Sequence, residues 1–151
     1  MLRSKMRYGF ILVFMALNVF AAGQSALPTS TLVIGKHRFQ VEIATTQEAH
    51  QQGLSDRTHL SAHQGMYFVY PDTMVRSFWM KGMQFPLDMI WVREHQVVGI
   101  QTDVPKPDPK TPLFELPRYT SPEPVDAVLE VNAGIAEQYG IKVGDKLKIL
   151  R

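Results

Sequence analysis

From Thr31 the string TLVIGKHRFQVEIA alternates apolar and polar positions on both sides of Gly35 and Lys36. Alternation of period two around a two-residue turn is the mark of a β-hairpin with one buried face, so two strands open the fold. The pattern changes in TTQEAHQQGL, where Thr45 and Glu48 stand three apart and Gly53 follows. A hydroxyl and a carboxylate at that spacing satisfy the free amides of a helix start reciprocally, and glycine suits a helix end. The spacing predicts a short helix over 46–53. Beyond a polar connector, residues 65–70 and 75–80 are dense in aromatic and β-branched side chains on either side of a turn at Pro71 and Asp72, which predicts two further strands. Residues 87–93 and 96–104 flank Glu94 and His95 with the same composition and read as a second hairpin.

The alternation then stops. Pro105, Pro107, Pro109, Pro112, Pro117, Pro122 and Pro124 hold seven of the ten prolines, and proline lacks the amide that a sheet interior requires. A long surface loop is expected at about 105–124, placed to close over the strands. Order returns in AVLEV at 127–131, a strand. Asn132 can cap a helix of about two turns in AGIAEQY, ended by Gly140, and residues 146–150 form a last strand. Many short strands with two short helices predict an α+β, β-dominated single domain at 31–151, a partly closed barrel or sandwich.

Arg3, Lys5 and Arg7 precede the apolar run 8–20 and the small residues Ala21, Ala22 and Gly23. That is the layout of a secretory signal peptide over 1–23, followed by a short linker at 24–30. The apolar run is interrupted by Asn18 and falls short of the roughly 20 residues a membrane span needs, so no stable span is expected after cleavage near Gln24. The chain has 151 residues, 16 Lys+Arg and 14 Asp+Glu. Removing 1–23 takes three basic groups and no acidic one, leaving 13 against 14 and a formal net charge of −1. Binding nucleic acid through phosphates needs a clustered basic surplus, so no nucleic-acid partner is expected. There is no Cys, which removes disulfides, lipidated cysteine and thiol redox chemistry.

His59 and His63 have the i, i+4 spacing that can turn two imidazoles toward one metal, but position 60 is Leu where a zinc-protease motif has Glu. Met66, Met74, Met80, Met83 and Met89 crowd one stretch beside Trp79. Thioethers suit Cu(I), and methionine is equally ordinary core filler. Asp88 and Glu130 each interrupt an apolar strand, where a charge is costly unless compensated. As a pair they could act as acid and base on an envelope polysaccharide or peptide link; as separate residues they could be held by structural partners. Trp79, Trp91, Phe78, Phe85 and Tyr119 offer stacking surface to a ligand or to the core. There is no GxSxG, P-loop or dinucleotide fingerprint.

The string FWMKGMQFPLDMI at 78–90, taken with Gly53-Leu54, Arg57, Gly65-Met66 and VLEVNAG at 128–134, resembles the bacterial and archaeal family catalogued as domain of unknown function one-nine-two. The resemblance implies a compact β-rich domain, often behind a signal peptide, and specifies no reaction. Two departures stand out: Ser55 replaces a Met after Gly-Leu, and Lys81-Gly82-Met83 stands where the family pattern has Lys-Asn-Thr. The matching positions with polar or aromatic groups are Arg57, Trp79, Lys81, Asp88, Glu130 and Asn132, the candidate ligand-binding residues. The expectation is an exported, periplasmic, non-enzymatic ligand-binding or envelope accessory module without cofactor or metal. Its partner would be a small molecule or envelope component. An envelope hydrolase using Asp88 and Glu130, and a copper carrier using Met80 and Met83, are the alternatives.

Overall fold

The computed structural model describes residues 26–150; the proposed signal peptide and its cleavage point lie outside the described residues. The first hairpin forms as expected, with β1 (Thr29–Ile34) antiparallel to β2 (His37–Ala44). A crossover carrying helix α1 (Gln47–Gln52) returns the chain to β3 (Gln64–Met74), which lies parallel to β2. The hydroxyl that caps α1 belongs to Thr46, not Thr45: its Oγ1 accepts the Ala49 N–H at 3.2 Å. Gly53 ends the helix at φ +51°.

Only Ser77–Phe78 (β4) of the expected strand at 75–80 is extended, and it pairs outside the main sheet, with β7 (Tyr119–Thr120) of the proline-rich loop. The second hairpin, β5 (Leu87–Arg93) and β6 (Gln96–Val104), matches the sequence reading. Its turn residues Glu94 and His95 both have positive φ, as the favoured hairpin turns demand, and the Asp126 carboxylate accepts the Glu94 N–H at 3.0 Å. Two elements follow, β8 (Val125–Asn132) and β9 (Leu147–Leu150), with helix α2 (Ile135–Gln138) between them. That helix has one turn rather than two and starts from Gly134. Asn132 does not cap it and instead donates to the Leu60 carbonyl at 2.7 Å. The loop at 105–124 is organised by a 3₁₀ turn at Leu113–Glu115 and by the β4–β7 ribbon.

The seven-stranded sheet runs β6-β5-β8-β3-β2-β1-β9 and curls until its edges meet. Gln96 bridges Lys146, and the Val97 and Leu147 amides donate to the Asp145 and His95 carbonyls, each at 2.8 Å. Of the two β-dominated forms expected from sequence, a partly closed barrel or a sandwich, the result is the partly closed barrel, open along the rest of that seam. Inside it pack Leu32, Phe39, Val41, Ile90, Val92, Leu129 and Val131, with Ile135, Ala136 and Ile141 stoppering one end. A second apolar layer covers the outer face of the central strands and joins Ala49 and Leu54 to Met66, Phe68, Met80, Met83, Met89 and Trp91. No helix among the described residues is long and apolar enough to cross a membrane.

Asp88 is the one carboxylate on the interior side of β5, fully buried. Its Oδ1 accepts the Asp103 N–H at 2.9 Å, and its Oδ2 accepts the Ala136 N–H at 2.8 Å. It therefore ties a β6 residue with φ +51° and the first turn of the stopper helix to the same strand. Asp88→Ala would leave two amides without acceptors at about 1–3 kcal/mol each. We expect urea unfolding of this variant to show a loss of roughly 3 kcal/mol or more. An unchanged midpoint would remove the latch from the account.

Candidate functional site

Strand alternation decides which way each polar residue of the centre faces. On β8, Ala127, Leu129 and Val131 enter the barrel, whereas Val128 joins the outer layer, and Glu130 follows Val128 by two. Glu130 sits opposite Met66 on β3 and Met89 on β5, both outer-layer residues. Asp88 sits opposite Val131 and shares its face with Ile90 and Val92. The two carboxylates thus point to opposite sides of one sheet. The acid and base pair considered from sequence is not assembled.

Gly65 lets the backbones close around Glu130, since a Cβ there would stand 2.6 Å from the Glu130 carbonyl oxygen. The Glu130 side chain is 5% exposed and lines a niche of about 40 Å³ together with His50, Phe68, Phe78, Trp79, Lys81 and Met83. Burial pushes its carboxyl up from 4.5 to about 8. No hydrogen bond or ion pair among the described residues reaches that carboxyl, so it is a neutral acid at pH 7 with a proton to offer and an oxygen to accept.

The niche opens into a cleft of about 380 Å³ that shares His50, Gln51, Phe78, Trp79 and Lys81 and adds Tyr70, Ser77 and Arg118. Three elements build this mouth. Helix α1 supplies His50, whose Nε2 donates to the Ala44 carbonyl at 2.9 Å and whose ring packs 4.4 Å from Tyr70. The β4–β7 ribbon supplies Phe78, edge-on to both Phe68 and Trp91. The proline-rich loop supplies Arg118, whose guanidinium lies 4.3 Å over the Trp79 ring, with the Lys81 ammonium at 5.7 Å. Arg76 stacks 3.8 Å over Tyr70 and pairs with Asp72. Burial raises the Tyr70 hydroxyl to about 12, opposed by Arg76 and reinforced by the nearby Glu130 charge. The mouth is aromatic and cationic, and the floor is an acid.

Of the six candidates from sequence, Trp79, Lys81 and Glu130 converge here. Arg57 stands elsewhere, in a bidentate pair with Glu42 beside a separate hollow of about 330 Å³. That pair holds the Glu42 carboxyl below its ordinary range through the Arg57 hydrogen bond. Asp88 and Asn132 hold backbone together, as described above. His50, Tyr70 and Arg118 were missed; each lies in a different part of the chain, and only Arg118, inside the expected loop, carried a hint.

The other sequence candidates have different surroundings. His59 and His63 are exposed, and His63 Nδ1 lies 3.0 Å from the Tyr139 hydroxyl. Met66, Met80, Met83 and Met89 are buried in the outer apolar layer, whereas Met74 is exposed. No group of three or more His, Asp or Glu suited to a metal ion occurs among the described residues.

The two departures from the family pattern touch each other. Gly82 has φ +70°, a conformation that both glycine and asparagine accept, and a Cβ on it would stand 3.1 Å from the Ser55 Cβ. Ser55 donates to the Lys81 carbonyl at 2.7 Å, and the Asp56 amide donates to the Gly82 carbonyl at 2.9 Å. A small residue at 82 and a hydroxyl at 55 therefore hold the turn that presents Lys81.

Glu130 makes stability depend on pH with a definite sign. Its folded value of about 8 lies above its ordinary 4.5, so the folded state binds the proton more tightly. The contribution of Glu130 is fully present below about 4.5 and is lost through the window to about 8. The slope approaches roughly 1.4 kcal/mol per pH unit where Glu130 alone titrates. Glu130→Gln should flatten that decline in chemical denaturation between pH 5 and 8; parallel curves for the two proteins would contradict a buried neutral acid.

A model of the family described as Uncharacterized ACR, domain of unknown function 192, matches residues 30–149. Among solved structures, a "putative transcription regulator" from Sinorhizobium meliloti 1021 is 28% identical at a TM-score of 0.75, covering 84% of this chain and 98% of its own. A protein of unknown function from Novosphingobium aromaticivorans DSM 12444 is 31% identical at a TM-score of 0.73, with 83% and 89% covered. No curated protein matches significantly. The family match extends from the first hairpin to the closing strand and takes in the strings around Trp79 and Glu130, and the chain belongs to the family of domain of unknown function 192.

Proposed function

We propose that this chain is an exported, non-enzymatic binding module that takes a small ligand in the cleft above Glu130. The observation that carries the reading is the buried Glu130 carboxyl, without a partner among the described residues, at the floor of a niche that opens to solvent. The carboxyl is the polar group at the floor of that niche, and a ligand group entering it would hydrogen-bond there. Trp79, Phe78 and Tyr70 supply apolar surface in the mouth. Lys81 and Arg118 supply charge there, and concave sites of this composition bind small molecules. Binding accounts for the cleft without a nucleophile or a second acid, and the opposed directions of Asp88 and Glu130 leave the hydrolase reading without its pair. Export rests on the basic and apolar pattern of residues 1–23.

Trp79 is half-buried and stands outside both apolar clusters, so Trp79→Ala is expected to stay folded by circular dichroism. In a thermal-shift screen of sugars, peptides, amino acids and nucleotides, compounds that raise the wild-type melting temperature by about 5 °C should lose most of that effect on Trp79→Ala. Equal stabilisation of both proteins, or a library in which no compound separates them, overturns the site. Full-length protein expressed in a bacterial host should be recovered from the periplasm with a mass starting near Gln24; an intact N-terminus retained in the cytoplasm would contradict export.

A further inference from the structure

One acid and one base, Glu130 and Lys81, line the same niche of about 40 Å³ without pairing. The ion pairs among the described residues join Arg57 to Glu42, Arg76 to Asp72 and Arg93 to Glu123. The Lys81 ammonium lies over Trp79 instead, where Arg118 also rests. A ligand anion alone would pair with Lys81 and Arg118 but bring no donor to the accepting oxygen of Glu130. A ligand cation alone would satisfy Glu130 and meet two like charges at the mouth. A molecule with both charges a few bonds apart satisfies all three groups at once.

We propose that the cleft binds a free α-amino acid, with its ammonium against Glu130 in the niche and its carboxylate between Lys81 and Arg118. This names the ligand class of the binding reading above and rests on it. The dimensions agree. A niche of about 40 Å³ has room for a small polar group such as an ammonium beside Glu130. The cleft of about 380 Å³ has room for the carboxylate and side chain. The rings of Phe68, Phe78 and Trp79 line the niche, an aromatic setting that suits a cation. The side chain would lie against Trp79, Phe78 and Tyr70, so apolar and aromatic amino acids should bind best.

Binding changes the charge of the floor. The groups around Glu130 are His50 from α1, Tyr70 from β3, Lys81 from the 79–83 turn and, at the mouth, Arg118 from the proline-rich loop, with Arg76 behind Tyr70. The proton that Glu130 gives up on meeting the ammonium passes to the buffer.

Calorimetric titration of the full chain with glycine and with L- and D-alanine, leucine, phenylalanine and tryptophan tests the assignment. At least one of these should bind, with its N-acetyl and C-amide derivatives each tenfold or more weaker. At pH 7, buffers of different ionisation heat should report release of close to one proton. Glu130→Gln should weaken binding at least tenfold and abolish the proton release. Lys81→Met should weaken binding comparably while keeping the release, which guards the test should Glu130→Gln fold poorly. N-acetyl derivatives that bind as well as the parents overturn the proposal. So does a panel in which no amino acid binds while some other compound gives a Trp79-dependent thermal shift, an outcome that leaves the cleft standing as a site for a different class. If no compound of any class distinguishes wild type from Trp79→Ala, the binding reading itself fails.

Discussion

The fold depends on a sheet whose central strands are buried on both faces. In β5 every residue from Leu87 to Val92 is buried, so each position faces either the barrel interior or the outer layer, and neither is water. Alternation sends Ile90 and Val92 inward and Met89 and Trp91 outward. A register shift of one residue would exchange the two sets and carry every polar group with them. A carboxylate on such a strand cannot reach solvent by turning over. It must find donors or become neutral.

The chain contains both outcomes, one on each face. Asp88 meets two amides and acts as a rivet between the β5–β6 bulge and the stopper helix. Glu130, one strand away and facing outward, meets methionines and aromatic rings and holds its proton. Both are apolar-strand carboxylates in the sequence, and both are buried. What separates them is the parity of their position and the backbone that happens to lie opposite.

Much of the strand pattern was legible because it rests on local alternation. The two hairpins, the short helix after the first of them and the closing strand follow from period-two runs, turn residues and cap spacing, whereas the parallel pairing of β2 with β3 does not. The region 75–80 misled because aromatic density there reflects packing: Phe78 and Met80 fill the outer layer from a two-residue strand and a turn. Asn132 looked like a helix cap because cap chemistry is local, yet its amide reaches Leu60, 72 residues earlier in the chain. The same limit applies to the site. Trp79, Lys81 and Glu130 stood out as polar or aromatic residues in specific strings. His50 and Arg118 come from a helix and a loop whose approach to the cleft only the folded sheet determines. The family resemblance rested on strings that the structure distributes between the cleft, the Glu42–Arg57 pair and the backbone anchors at Asp88 and Asn132.

The proline-rich loop is where an apparently unstructured segment acquires a geometric role. Its prolines restrict φ and lower the entropy lost on folding, and its second half is fastened at several points. The Ser121 amide donates to the Arg76 carbonyl at 2.8 Å, and the Ser121 Oγ accepts the Arg76 amide at 3.0 Å. The same hydroxyl donates to the Glu123 carbonyl at 2.8 Å. Pro122 packs so close to Gly99 that a Cβ there would stand 2.6 Å from its ring. Between these fastenings and the 3₁₀ turn lie Arg118 and Tyr119, the residues that bring a guanidinium over Trp79 and a strand to Phe78. Holding the mouth in this way lowers the ordering cost a ligand would otherwise meet. A short ribbon outside the barrel can therefore serve as the wall of a site whose floor belongs to the sheet.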